Sequence, residues 1–308
     1  MTLVSLLLLV YASIDQMRPV SIIESLHDRI LDARRCQLHL VNRTRRVPQL
    51  KGEARHILAN DKGFLVRLDV DALGDAIREH APGGEIEFLV APGSYVAVQQ
   101  PLALLRPASA PEHLEDVLRR AVRLERVRDI QRDPDYGIAQ LLNIAWTSVS
   151  TSKQSPVPGL LVNFALRDLL LLWGAGGSDG DNGETALPIV VKDDILDRVI
   201  SAFELLAVVA SESMQVQTFV EVAESLRLGA ESLDGVHLER VADAVLRTLP
   251  GLGDHVLTAD LERMLQRLAE TLAERSSTDV AKAVIDAREG LGRSVGQLRS
   301  RSTRVPQG

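Results

Sequence analysis

Apolar residues in the first part of the chain recur every three to four positions: Ile22, Ile23, Leu26, Ile30 and Leu31 share one face. That repeat predicts a helix over residues 14–46, ended by Pro48 and Gly52. From residue 55 the period shortens to two. Residues 56–59 are a strand candidate, and Asn60-Asp61-Lys62-Gly63 has turn composition. Phe64, Val66, Leu68 and Val70 then alternate with Leu65, Arg67 and Asp69, as in a strand. A short helix fits residues 72–80, with Leu73, Ala76 and Ile77 on one face, until Pro82-Gly83-Gly84 breaks it. Ile86, Phe88 and Val90 alternate again, Ala91-Pro92-Gly93-Ser94 turns, and residues 95–98 and 102–105 read as further strands, with Pro101 at an edge or bend.

Beyond residue 109 the helical spacing returns. Ser109 and Glu112 have the spacing of a capping box, with Pro111 in the first turn. Leu114, Val117, Leu118, Ala121 and Val122 form the stripe that follows. Asp133-Pro134 marks a second start, Asp as N-cap and Pro at the first helical position, continued by Ile138, Leu141, Leu142 and Ala145. Residues 147–159 are rich in Ser, Thr and Pro and predict a loop, and residues 160–173 predict a strongly apolar, buried helix. The glycines between 174 and 183 predict a surface loop, without the strand, loop and helix context of a phosphate-binding motif. An extended run follows at 187–191. Asp193 then predicts the cap of a helix that turns Ile195, Leu196, Val199, Ile200, Phe203 and Leu206 inward. Further helices fit residues 214–228, 236–249, 258–275 and 278–292, with Leu238, Val241, Ala242, Val245, Leu246 and Leu249 as one stripe.

Composition adds limits. At 308 residues, 45% apolar and 25% charged, the chain has the make-up of a folded protein with room for two sub-domains. Aromatics are 3%, so the core is aliphatic and there are few platforms for stacked bases. The net charge of -7 gives no general attraction to nucleic acid. Cys36 is the single cysteine, which rules out an intrachain disulfide, fits a reducing compartment and reads as a plain structural thiol. Residues 3–12, Leu-Val-Ser-Leu-Leu-Leu-Leu-Val-Tyr-Ala, are apolar but shorter than the roughly 20 residues that span a bilayer. They read as the last half of a transmembrane helix; a buried N-terminal helix is the alternative. The basic stretch that follows, Arg18, Arg29, Arg34, Arg35, Arg43, Arg45, Arg46 and Lys51, has the bias of a cytoplasmic flank, or of a solvated helix face.

Candidate chemistry is sparse. Arg128, Asp133, Asp135 and Tyr136 form the best polar cluster, with Ser150 and Gln154 of the 147–159 loop as further ligand-binding candidates. The competing reading is an N-cap and an ion pair. Paired carboxylates support acid–base chemistry only when their environments separate them. The seven histidines do not cluster in sequence, zinc spacing is absent, and so is the Gly-x-Ser-x-Gly of a nucleophile elbow. No metal or cofactor is expected. The glycine, valine and proline spacing over 93–102 suggests a half-barrel like that of biotinyl carriers, without the carrier lysine turn.

Three motifs carry a resemblance. The first is Gly63-Phe64 with Leu68-Asp69 and Leu73. The second is Ala91-Pro92-Gly93-Ser94-Tyr95-Val96 ahead of Pro101-Leu102. The third is Arg128, then Asp133-Pro134-Asp135-Tyr136-Gly137-Ile138, then Leu141 and Ile144-Ala145. Together with Ser13-Ile14-Asp15-Gln16, Val20 and Ile23, they make the chain resemble the bacterial membrane-protein family described as domain of unknown function 2254, from about residue 5 to residue 228. The resemblance implies N-terminal membrane helices followed by one soluble region. It also implies a loop pattern of Leu-Ser-Pro, Asn-Asp-Pro and Thr-Ala from which this chain departs: Gln154 and Ser155 stand for the Asn-Asp pair, and Pro158 and Gly159 for the Thr-Ala.

These readings combine into an α+β fold: a small β unit, half-barrel-like with one inserted helix, followed by a mostly α-helical bundle. The expected divisions are an apolar or partial transmembrane helix at 1–13, a juxtamembrane helix and linker at 14–52, the β unit at 53–108, a helical domain at 109–292 with loops at 147–159 and 174–186, and a basic disordered tail at 293–308. The expected role is a membrane-tethered cytoplasmic module for interaction, ligand sensing or regulation of a channel or transporter. It would contact membrane lipid through its N-terminus and be able to self-associate. The alternatives are a hydrolase-type enzyme with a site between the β unit and the 147–159 loop, and a scaffold that oligomerises through its C-terminal helices.

Overall fold

The computed structural model describes residues 19–150, 156–175 and 186–294. The N-terminal apolar run, Gln154, the glycine-rich stretch from 176 to 185 and the tail from 295 lie outside the described residues. Among the described residues the chain forms ten α-helices and seven short strands, an α+β fold that is mostly helical. It divides into two compact units.

The β-rich unit takes residues 24–140 and 186–195. Its elements are most of α1 (Pro19–Val41), β1 (Arg55–Leu58), β2 (Gly63–Leu68), α2 (Val70–His80), β3 (Glu85–Phe88), β4 (Tyr95–Val96), β5 (Pro101–Arg106), α3 (His113–Ala121), β6 (Val122–Glu125), the first turns of α4 (Pro134–Val149) and β7 (Ile189–Val190). Four strands form one sheet in the order β1-β5-β3-β7, antiparallel except for the β3–β7 pair, and three form another in the order β4-β2-β6. Between them, Ile57, Leu65, Leu73, Ile77, Ile86, Val96, Leu105, Leu114 and Leu118 make one aliphatic core. The inserted helix starts as its sequence directs: the Asp69 carboxylate accepts from Ala72 N at 3.1 Å.

Three local readings need correction. On β2 the core side chain is Leu65, whereas Phe64 and Val66 are half-buried, and the pairing with β6 shifts register between Leu65 and Arg67. A bulge rotates side chains off strict alternation. Val122, expected in a helical stripe, begins β6 directly after α3, with no turn residue between to announce the change. The capping box at Ser109 and Glu112 does not form. Turns with Ala110 N on Pro107 O and Leu114 N on Pro111 O occupy that stretch, and α3 begins at His113 without a side-chain cap.

The carboxyl-bearing Glu85, on β3, is fully buried. Arg45 Nη1 donates to its Oε2 at 3.1 Å, and the backbone N–H of Gln49 donates to the same oxygen at 2.9 Å. The backbone before β1 is stitched to β7 as well: Arg45 N donates to Ile189 O at 2.8 Å and Val191 N to Arg45 O at 3.1 Å. A buried carboxylate is tolerable only with such partners.

The helical unit takes residues 19–23, 141–150, 156–175 and 196–294 among those described. It contains the rest of α4, then α5 (Val157–Ala175), α6 (Ile195–Glu212), α7 (Val216–Ser232), α8 (Gly235–Thr248), a 3-10 turn (Leu249–Asp254), α9 (Ala259–Glu274) and α10 (Thr278–Ser294). The six inward residues expected on α6 are all buried. On α8 the covered residues are Val241, Ala242, Ala244, Val245 and Thr248, whereas Leu246 faces outward. Helical structure reaches further into 147–159 than its Ser, Thr and Pro content suggests. Thr147 Oγ1 donates to Asn143 O at 2.8 Å and Ser148 Oγ to Ala145 O at 3.2 Å, so both hydroxyls fold back on the helix. Pro158 falls in the first turn of α5, where its missing N–H costs nothing.

Helix α5 was expected to be buried. Only one face is. Val162, Leu166, Leu169 and Leu170 are fully covered, while Val157, Phe164 and Leu172 are exposed. The inner face also carries a polar network to α7. Asn163 Nδ2 donates to Glu221 O (3.2 Å), Ser225 Oγ donates to Asn163 Oδ1 (3.2 Å), and Arg167 reaches Ser225 Oγ (2.9 Å) and Glu221 Oε2 (2.9 Å).

Candidate functional site

The three sequence motifs meet at one place in the β-rich unit. Asp133 caps α4, its Oδ1 accepting from Tyr136 N at 3.0 Å, as the Asp-Pro start predicts. The same carboxylate takes a two-pronged contact from Arg128: Nε to Oδ2 at 2.6 Å and Nη2 to Oδ1 at 2.8 Å. Nη2 also donates to Asp135 Oδ2 at 2.7 Å. Such forked, charge-assisted bonds are the strong ones. The Arg128 guanidinium lies 5.2 Å from the Tyr136 ring centroid and 5.9 Å from that of Phe64, and Phe64 meets Tyr95 edge-on at 5.3 Å. Both rings therefore present π faces to a cation.

The turn of the second motif closes the cluster. Gly93 has φ +87°, and a Cβ there would lie 2.6 Å from Asp133 Oδ2, so only glycine lets the carboxylate approach. Gly93 N donates to Leu65 O at 2.8 Å and Leu65 N to Ser94 O at 3.0 Å, which fixes the turn on β2. Gly63, φ +154°, sits where a Cβ would meet Glu125 O at 2.7 Å, so β6 can lie close.

The electrostatics are those of a closed clasp. The side chains of Arg128 and Asp133 are 16% and 10% exposed, that of Asp135 33%. Burial pulls the Arg128 guanidinium down, but hydrogen bonds and charge from Asp133 and Asp135 outweigh it and hold the group above its ordinary value. Both Asp133 oxygens are engaged, one by the guanidinium alone and one by the guanidinium and the helix-start N–H. Arg128 thus occupies both oxygens of Asp133 and one oxygen of Asp135.

Arg128, Asp133, Asp135 and Tyr136 thus come together. Ser150 does not join them: it is exposed just past the end of α4, nearly five helical turns from Asp133. Gln154 lies outside the described residues. Sequence reasoning on single side chains missed Phe64, Tyr95 and Gly93 as members, although the motifs contain all three. It missed Glu85 and the Asn163–Ser225 pair altogether. Asp193, expected to cap α6, lies two residues before its start at Ile195, and its carboxylate instead grips Arg34 at 2.8 and 2.7 Å. Of the basic stretch, Arg34, Arg35, Arg43 and Arg45 are all ion-paired, with Asp193, Asp32, Asp71 and Glu85. Two histidines distant in sequence, His80 and His113, meet edge-to-face at 4.3 Å. Among the described residues no three His, Cys, Asp or Glu side chains converge to hold a metal.

The family described as "Predicted membrane protein (DUF2254)" matches residues 1–220, a stretch that includes all three motifs. No curated protein and no solved structure matches significantly. With most of its length covered, the chain belongs to this predicted membrane-protein family of unknown function.

Proposed function

We propose that this chain is the water-facing part of a membrane protein, held on the cytoplasmic side, where it serves as an interaction, ligand-sensing or regulatory module for a channel or transporter. The observation that carries the reading is the Arg128 clasp. The residues that make the chain recognisable as a member of a membrane family converge on a packing device, with each acid matched by the protein's own donors. Such a device sets the geometry of a module. The cytoplasmic side is supported by the Arg and Lys crowding after the apolar run, because membrane insertion reads those charges before folding pairs them.

Two experiments test this. The full-length protein should sediment with membranes in detergent-free lysate and be released by detergent; recovery of all of it in the soluble fraction overturns the tether. Cys36 is the only cysteine and is exposed. A membrane-impermeant maleimide should therefore label it in inverted vesicles but not in intact cells, and labelling in intact cells overturns the orientation.

A further inference from the structure

A groove of about 1240 Å³ opens in the helical unit between the first turns of α7 and α9, and Arg288 of α10 reaches into it. Small-molecule pockets run to roughly 300–1,000 Å³, so the groove has room for a whole organic molecule rather than a lone ion. Helices α7 and α9 run side by side in one direction. Arg267 Nη2 of α9 lies 3.3 Å from Glu224 Oε2 of α7, and Arg227 Nη1, further along α7, donates to Thr271 Oγ1, further along α9, at 3.4 Å. The two helix starts therefore reach the same mouth. Val216 and Val220 give the groove an apolar side; Arg263, Arg267 and Arg288 give it a basic one.

Arg288 breaks the rule that the other half-buried arginines of this unit keep. Arg167 meets Glu221, Arg227 meets Glu224, Arg240 meets Glu204 and Arg275 meets Asp234. Arg288 is also half-buried, yet among the described residues it meets no carboxylate. Its Nη1 donates to the neutral Gln266 Oε1 at 2.5 Å, and Gln266 is fixed in turn by donating from Nε2 to Glu270 Oε1 at 2.6 Å. The guanidinium is thus held in place at the groove with its charge unanswered, which is costly for a group partly withdrawn from water. The acids that line the groove do not supply the answer. Arg167 holds Glu221, Arg263 holds Asp260, and Glu262 sits in the first turn of α9, where the helix start favours it. The start of α7 has no acid in its first turn and no side-chain cap, so it adds to the surplus of donors. Arg263 and Arg267 are more than half exposed, so both can swing toward a ligand. That donor set exceeds what the two oxygens of a carboxylate accept and suits the oxygens of a phosphate.

We propose that this groove binds an organic phosphate, its head gripped by Arg288 and its body laid against Val216 and Val220. The site goes beyond the membrane reading and does not depend on it. The test titrates the full chain in detergent, by calorimetry, with sodium glycerol 3-phosphate and with lysophosphatidic acid. Saturable binding of the first identifies a soluble phosphate as the source; binding of the second alone identifies a lipid headgroup. Arg288→Met should weaken binding by about tenfold or more, the scale for losing a hydrogen bond to a charged group. Arg288→Lys, which keeps the charge and loses the fork, should fall between. Ala259→Trp puts a ring into the groove from an exposed position and should weaken binding as much, with the core untouched. Binding that survives both Arg288→Met and Ala259→Trp overturns the proposal. So does a heat that sodium chloride at equal ionic strength reproduces, and so does the absence of saturable binding by either probe. Sedimentation with membranes should be the same in all three variants, so failure of this site and failure of the tether are told apart.

Discussion

The Arg128 clasp and the Arg167 network are both built on one half-buried arginine, but their partners come from different distances along the chain. Asp133 and Asp135 are five and seven residues from Arg128. Glu221 and Ser225 are 54 and 58 residues from Arg167. The clasp can close as soon as the first turn of α4 forms, whereas the network exists only once α5 and α7 have docked. The charge balance differs too. Arg128 answers two carboxylates, one of them almost fully buried. Arg167 answers one carboxylate that is 33% exposed, and otherwise neutral oxygens. Removing the arginine therefore strands charge in the first case and mainly loosens register in the second.

The largest expected effect follows from that contrast. Arg128→Met leaves Asp133 and Asp135 without their cation and should cost about 3 kcal/mol in urea unfolding of the full chain, the scale for breaking a buried ion pair. Arg167→Met should cost about 1 kcal/mol, because Glu221 can turn to water and Ser225 keeps Asn163. The opposite order breaks the comparison. Gly93→Ala comes next, at about 2 kcal/mol from its left-handed φ and the contact with Asp133. Part of that loss should vanish in the Asp133→Ala background, since the two changes share one contact; strictly additive losses would remove Gly93 from the clasp. Asn163→Ala should cost about 1 kcal/mol and speed amide exchange in α5 and α7 while leaving the start of α4 unchanged.

The smallest effect lies outside both arginine sites. A hydrogen bond from Arg43 holds the exposed Asp71 carboxyl below its usual range. Because the folded value is depressed, the pair's contribution is fully present above the ordinary carboxylate range, near pH 4. It is lost as pH falls through the lower, folded value. Arg43→Met should flatten the acid limb of the stability profile below that point; an unchanged limb counts against the pair.

The clasp was legible because its signals are local. Asp133-Pro134 announces a capped helix, and Arg128 stands within a turn and a half. The helices of the second half were legible for the same reason, since the spacing on α6 and α9 repeats over several turns. What the sequence hid depended on distant neighbours. Leu65 and Phe64 are both apolar, so alternation could not show that a bulge would send Leu65 to the core and Phe64 to the arginine. Val122 continues a helical stripe until β2 claims it. Glu85 gives no sign of burial, because its partners are Arg45 and two backbone amides far back in the chain. Helix α5 carries leucines on every side and polar residues, Asn163, Arg167 and Asp168, on more than one, so its own residues do not say which face the protein covers.

The stretch between α1 and β1 has a mechanical consequence. Its amides are caught by the Glu85 carboxylate, Arg45 is laced to β7 on both sides of its backbone, and Arg34 anchors the helix above to Asp193. Such a joint has no slack. A tug or twist delivered along α1 would have to break these bonds before it could part the helix from the edge of a four-stranded sheet, so the link resists local opening more than a loose hinge would.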